Sequence, residues 1–94
     1  MLINISEKAR DDLLFYSSYK RKFSKSNSKK FLINFNSSIK LLKLFPYMYP
    51  KITSNSEYRK ILFNKNFLII YLIDNDVIYI DSIVNCKQNY LDKL

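Results

Sequence analysis

The 94-residue sequence contains no glycine and no histidine. Without glycine, the chain lacks the glycine-rich loops that bind the phosphates of dinucleotides and nucleoside triphosphates. Without histidine, it lacks the usual activating base of serine and cysteine nucleophiles and a common zinc ligand. The single cysteine, Cys86, can form neither an internal disulfide nor a cysteine cluster. These absences exclude several large enzyme classes, and we expect neither a metal nor a cofactor.

Long hydrophobic runs are also missing. The longest, Phe67–Ile73, is far shorter than the roughly 20 residues that a membrane-spanning helix needs. Polar and charged residues interrupt the first ten positions, so no secretory signal is recognisable. We therefore expect a cytoplasmic protein with a reduced thiol and no membrane contact.

Acidic residues are scarce relative to basic ones. The chain carries 16 lysines and arginines against 8 aspartates and glutamates, which gives a net charge of +8. Most of the excess lies in residues 1–50, and the stretch Lys20–Lys30 contains basic residues without a single acidic one. Such charge favours nucleic acid, anionic lipid or an acidic protein segment as a partner, although a solvated helix end is the simpler interpretation.

The order of apolar and turn-forming segments predicts one domain, residues 1–94, of the α+β class. A strand at Leu2–Ile5 precedes a helix capped by Ser6, and a second helix ends near Leu44, before Pro46. Three strands follow, at Tyr58–Phe63, Phe67–Ile73 and Val77–Val84. The predicted order is β-α-α-β-β-β, with a helical hairpin packed on a mostly antiparallel sheet.

Helical spacing predicts which apolar residues form the core. The first helix presents one face of Ala9, Leu13, Tyr16, Tyr19 and Phe23, and the second a stripe of Phe31, Leu32, Phe35, Ile39, Leu42 and Phe45. We expect these faces to form one core with Leu62, Ile70, Leu72 and Ile80. Asp12 lies at the margin of the first face, where we expect it to cap or pair with a polar group.

The residues that could carry chemistry have simpler interpretations. Asp74 and Asp76 could form an acid–base pair or a metal site, but Asp-Asn-Asp is typical of a hairpin turn. Cys86 has no histidine to activate it, so a packing or incidental cysteine is the better interpretation. Eight tyrosines could stack nucleobases, although aromatic side chains in strands mostly pack.

Five segments, in this order, match a family pattern: Ile5–Leu13, Phe45–Pro50, Tyr58–Ile61, Phe67–Asp74 and Val77–Asn89. Together they resemble the RelE/ParE family of toxins from bacterial type II toxin–antitoxin systems. The resemblance implies a small α+β toxin that an antitoxin silences. It leaves two mechanisms open, because RelE-like members cut messenger RNA on the ribosome whereas ParE-like members inhibit DNA gyrase. The chain is an enzyme only in the first case.

Cleavage of RNA needs a general base, a general acid and cations near the developing charge. RelE-like sequences place an arginine where this chain has Leu68 and a basic residue where it has Gln88. These departures favour a ParE-like toxin, with a RelE-like endoribonuclease as the alternative. Under either mechanism we expect the activity to lie in the closing segment, Asn85–Leu94, with Arg59 and Lys60 alongside. The candidates are Arg59, Lys60, Lys87, Gln88 and Tyr90.

The antitoxin is expected to cover the second helix. Ile33, Leu41 and Leu44 fall outside its main apolar stripe, and Lys29, Lys40 and Lys43 lie on the polar side. We therefore expect an acidic, amphipathic antitoxin segment over the helical hairpin or a sheet edge, in a hetero-oligomer.

Overall fold

The computed structural model describes residues 1–87. The elements along the chain are β1 (Leu2–Ile5), α1 (Glu7–Arg21), α2 (Lys25–Leu44), β2 (Arg59–Phe63), β3 (Phe67–Asp74) and β4 (Val77–Asn85). The sheet has the order β1-β4-β3-β2, in which β1 runs parallel to β4 and the other neighbours are antiparallel. The predicted α+β class, element order and helical hairpin are confirmed.

Serine side chains start both helices. Ser6 Oγ accepts a hydrogen bond from the Ala9 N–H at 3.0 Å, and it also donates to the Asp81 carbonyl at 2.8 Å. Ser24 Oγ accepts from the Asn27 N–H at 3.2 Å. Each cap satisfies a backbone donor that has no partner within its helix. Ser6 therefore both begins α1 and fixes it to β4.

The two hairpin turns form without glycine. Asn64 and Lys65 have φ angles of 49° and 69°, and Asn75 and Asp76 have φ angles of 49° and 63°. The pairing of Asp74 with Val77 leaves a two-residue loop with both residues left-handed, as in a type I′ turn. Asparagine and aspartate adopt this conformation at low cost, whereas Lys65 does so less readily. The turn interpretation of Asp74 and Asp76 is confirmed.

A β-bulge at Asp81 decides which residues of β4 face the helices. Ile80 pairs with Tyr71 and Ser82 pairs with Ile70, so Asp81 has no partner on β3. The extra residue reverses the alternation of side chains along the strand. As a result, Ile80 and Ile83 both join the cluster beneath the helices although they are three positions apart.

Apolar side chains pack on both faces of the sheet. The larger cluster lies between the helices and the sheet and includes Phe31, Phe35, Leu42, Ile69 and Tyr71, all at most 4% exposed. A smaller cluster on the opposite face contains Leu68, Ile70 and Val84, with Ile52 and Tyr58 packed against it. The central strand β3 is therefore apolar at almost every position.

The prediction of one core from Leu62, Ile70, Leu72 and Ile80 is wrong. Ile80 lies in the helix-side cluster and Ile70 in the opposite one, while Leu62 is 58% exposed on the edge strand β2. Leu62 pairs with Leu68, so it shares the face of Ile70, whereas the residues of β3 beneath the helices with Ile80 are Ile69 and Tyr71. Because β3 is apolar throughout, its sequence carries no alternation that assigns a face.

The predicted helix faces are also partly wrong. Tyr19 and Phe23 are 56% and 75% exposed at the end of α1, and Leu32 and Phe45 are also exposed on α2 and just after it. Lys20 takes the inward position instead, with its Nζ atom 5.1 Å from the centroid of the Phe67 ring. The stem of a lysine can cover apolar surface while its ammonium lies over an aromatic ring.

Candidate functional site

The edge of β4 that β1 leaves uncovered faces side chains of α1. β1 pairs with Val77–Ile80 only. Beyond that point, Asp12 Oδ2 accepts a hydrogen bond from the Ile83 N–H at 2.9 Å, and Tyr16 lies beside the Asn85 backbone. Four helical residues and two strand residues both span about 6 Å, so this spacing matches helix to strand. The prediction that Asp12 pairs with a polar group is confirmed, since it also binds Lys8 Nζ at 2.9 Å.

Arg59 holds the link between α2 and β2. Its Nη1 donates to the Tyr49 carbonyl at 2.6 Å and to the Tyr47 carbonyl at 3.4 Å, and its guanidinium lies 5.6 Å from the Tyr47 ring centroid. The Tyr71 hydroxyl donates to the Pro46 carbonyl at 2.9 Å. The segment Phe45–Pro50 is thus fixed by two side chains of the sheet, and Arg59 has a structural role here.

Among residues 1–87, the predicted activity residues Arg59, Lys60 and Lys87 do not lie together. Arg59 pairs with Tyr71 and Lys60 with Ile70, so these two adjacent residues point to opposite faces of the sheet. Lys87 is exposed just after β4, whose last residue pairs with Phe67, four positions from Tyr71 on β3. That separation is roughly 13 Å along the strand. Gln88 and Tyr90 lie outside the described residues.

The tyrosines whose pKa values shift move away from acid–base chemistry at neutral pH. Burial raises the pKa of Tyr71 to about 12, and it also raises that of Tyr16, with a further contribution from the neighbouring Asp12 carboxylate. A general base that works near neutral pH needs the opposite shift. Leu68 is 7% exposed in the cluster on the open face of the sheet.

The outward face of α2 carries the predicted antitoxin candidates. Ile33 is 52% exposed and Leu44 is 69% exposed. By helical spacing they share a face, flanked by three exposed lysines, Lys29, Lys40 and Lys43. Apolar side chains this exposed, beside positive charge, can be covered by an acidic amphipathic segment.

Leu41 extends this face to the edge of the sheet. It is 43% exposed and lines a groove of about 400 Å³ together with Leu62, Tyr49 and Pro50. The Lys60 N–H donates to the Pro50 carbonyl, so every second residue of β2 directs its backbone groups away from β3. By this alternation the backbone of Leu62 also faces outward. The sequence did not reveal Leu62 as a surface residue, because an edge strand with apolar residues on both faces looks like a buried one.

The described residues contain no group of three or more histidine, cysteine, aspartate or glutamate side chains that could hold a metal ion. Cys86 is a free, exposed cysteine. Within residues 1–87, no helix combines the length and apolar character needed to cross a bilayer.

Known proteins match this chain at the level of family and fold. A family model described as the ParE toxin of the type II toxin–antitoxin system parDE matches residues 3–90. A solved structure described as the chromosomal ParDE TA system from P. aeruginosa contains a chain with a similar fold, at a TM-score of 0.77 and 15% sequence identity. That match covers 90% of this chain and 95% of the other. No curated protein matches the sequence significantly. Since the family model spans nearly all of the sequence, this chain belongs to the ParE toxin family of type II toxin–antitoxin systems.

Proposed function

We propose that this chain arrests growth in the cytoplasm by binding DNA gyrase, and that a cognate antitoxin silences it. The observation that carries this proposal is the match of the ParE family model to residues 3–90. The +8 net charge is consistent with a target that is itself bound to DNA.

Two features of the described residues support a binding mechanism over RNA cleavage. Leu68, where RelE-like sequences carry an arginine, is buried against Ile70 and Val84. Arg59, the nearest guanidinium on the neighbouring strand, donates to two backbone carbonyls. Leu68 offers no cation to a scissile phosphate, and Arg59 Nη1 already binds backbone carbonyls, whereas an RNA-cleaving site requires cations near the developing charge.

The target is tested in cells. After induction of the chain without antitoxin, plasmid DNA should lose negative supercoils while the messenger RNA of a reporter stays intact. The double variant Lys87→Ala with Gln88→Ala should fold normally but relieve growth arrest, because we propose that the closing segment contacts the target. Normal supercoiling with fragmented messenger RNA would instead identify a nuclease.

We further propose that the antitoxin covers the outward face of α2 and the adjoining edge of β2. Leu44 supplies exposed apolar surface, Leu41 and Leu62 line the groove between helix and strand, and the lysines of α2 attract acidic residues. This arrangement would allow a partner to add backbone hydrogen bonds at Leu62 while it packs on the helix.

The antitoxin surface is tested by size-exclusion chromatography of the chain co-expressed with the product of the adjacent gene. The wild-type pair should elute as one complex, and Leu44→Asp should weaken it. Leu14→Asp is the matched control, since Leu14 is 67% exposed on α1, outside the proposed surface. Equal weakening by both variants would refute this placement.

A further inference from the structure

A second groove lies on the helix side of the sheet, away from the outward face of α2. It is bounded by the last turn of α1, the first turn of α2, the turn between β2 and β3, and the end of β4. Its volume is about 460 Å³, which is in the range of small-ligand sites. Of the residues that line it, only Lys87 belongs to the segment proposed to contact gyrase, and none belongs to the proposed antitoxin surface.

The side chains of this groove are unusual in type. The described lining residues comprise five aromatic rings, three asparagines and two lysines, with no carboxylate and no aliphatic side chain among them. A groove for an amphipathic protein helix is expected to present aliphatic side chains to its leucines and isoleucines. Rings, amides and ammonium groups together match a flat heteroaromatic base attached to a phosphate.

Two of the rings have free faces. Tyr19 and Phe23 contact each other edge to face, with centroids 5.3 Å apart, and both are more than half exposed. Rings that only filled the core would be covered on both sides. An exposed ring beside a concave surface is a platform on which an unpaired base can stack.

Positive charge is concentrated on one side of the groove, at the junction of α1 and α2. Lys20 Nζ is held 5.1 Å from the Phe67 ring centroid, and Arg21, Lys22 and Lys25 are exposed at the junction of the two helices. No acidic residue occurs between Asp12 and Glu57 in the sequence. Several cations next to a base-sized groove favour a ligand that carries phosphates over a free base.

We propose that this groove binds an unpaired nucleotide of a single-stranded nucleic acid. The base stacks on Phe23 and Tyr19, its polar edge faces Asn27 and Asn66, and the phosphates lie along Lys20 and the basic helix junction. This site is separate from the proposed antitoxin surface. It shares Lys87 with the segment proposed to contact gyrase, but its test measures nucleic-acid binding and not gyrase inhibition.

Fluorescence anisotropy with labelled ten-nucleotide strands tests the proposal on the full chain. Unstructured DNA or RNA strands should bind at least tenfold more tightly than the duplex of the same sequence. Phe23→Leu, which keeps the apolar side chain but removes the ring, should weaken single-strand binding about fivefold or more. Lys22→Ala should lower the slope of log affinity against log salt by about 1.

The controls are Leu14→Ala and Lys40→Ala, which change an exposed leucine and an exposed lysine outside the groove. Both should bind single strands as the wild type does, and circular dichroism should show that every variant is folded. Three results would overturn the proposal. The first two are equal affinity for single strand and duplex, and unchanged single-strand binding by Phe23→Leu. The third is an acidic peptide that displaces the strand and that itself binds Phe23→Leu more weakly than it binds the wild type. The last result would assign the groove to a protein partner.

Discussion

The hydrogen bond from Ile83 to Asp12 links the helical hairpin to the sheet, so its removal should destabilise the whole fold. Asp12 Oδ2 lies 2.9 Å from the Ile83 backbone nitrogen, and Ile83 is 1% exposed. Replacing Asp12 by alanine removes a charge-assisted hydrogen bond, worth about 1.5–3 kcal/mol. It also leaves a buried N–H without a partner, for which water cannot easily substitute. These two effects overlap, so we expect Asp12→Ala to lower the free energy of unfolding by about 2–3 kcal/mol.

The other contact of Asp12 contributes much less. The Lys8 ammonium is 2.9 Å away, but the Lys8 side chain is 59% exposed. An exposed pair of this kind is worth about 0.5 kcal/mol, so Lys8→Ala should have a small effect. Asp12→Asn retains an oxygen that can accept from Ile83, and its cost should fall between those of the two alanine variants.

Urea denaturation at neutral pH measures these differences, with Asp11→Ala as the matched control. Asp11 is an exposed carboxylate at the preceding position of the same helix, so it reports the loss of charge near the helix start alone. Amide hydrogen exchange of Ile83 should also quicken in Asp12→Ala. If Asp12→Ala costs no more than Asp11→Ala, the reasoning is refuted.

Three further predictions follow from single side chains. Because burial raises the pKa of Tyr71 to about 12, this tyrosine should ionise first in the unfolded chain above pH 10, and the free energy of unfolding should fall between about pH 10 and 12. Urea denaturation over a pH series should show that Tyr71→Phe lacks this part of the fall. The same pH dependence in Tyr71→Phe and wild type would contradict the prediction. Leu42 is fully buried and Leu44 is 69% exposed on the same helix. In urea denaturation, Leu42→Ala should lower the free energy of unfolding by about 2–5 kcal/mol and Leu44→Ala by less than about 0.5 kcal/mol. Similar losses in the two variants would contradict the burial of Leu42. Lys65 has a φ of 69°, which asparagine adopts more readily than lysine. Lys65→Asn should therefore increase the free energy of unfolding by up to about 1 kcal/mol and raise the thermal midpoint. A lower midpoint would mean that the lysine side chain stabilises the turn.

Local chemistry made much of the fold predictable. The hydroxyl of Ser6 before an apolar helical pattern, the prolines after α2 and the two asparagine-containing turns each specify a boundary through one residue's own conformational preferences. Once these boundaries are placed, the order of helices and strands can be read along the sequence. The same logic placed Asp12 correctly as a polar partner, because a carboxylate at the edge of an apolar face must be hydrogen-bonded.

The features that sequence reasoning missed depend on neighbours distant in the chain. At the bulge, the Asp81 carbonyl accepts a hydrogen bond from the Ser6 side chain, 75 positions earlier, and the sequence of β4 alone does not indicate a bulge. Leu62 is exposed because β2 is an edge strand, which no local pattern shows. The bonds of Arg59 to the carbonyls of Tyr47 and Tyr49 arise only when the link after α2 folds against the sheet, so the sequence did not reveal them.

The central claim, that this ParE-family chain acts on gyrase, is tested most directly with purified components. Relaxed plasmid, gyrase and ATP are incubated with increasing amounts of the chain, and supercoiled product is measured on agarose gels. The account predicts that supercoiling falls as the chain is added, and that the Lys87→Ala, Gln88→Ala variant inhibits less at equal concentration. Full supercoiling at every concentration of a folded chain that still arrests growth in cells would contradict it.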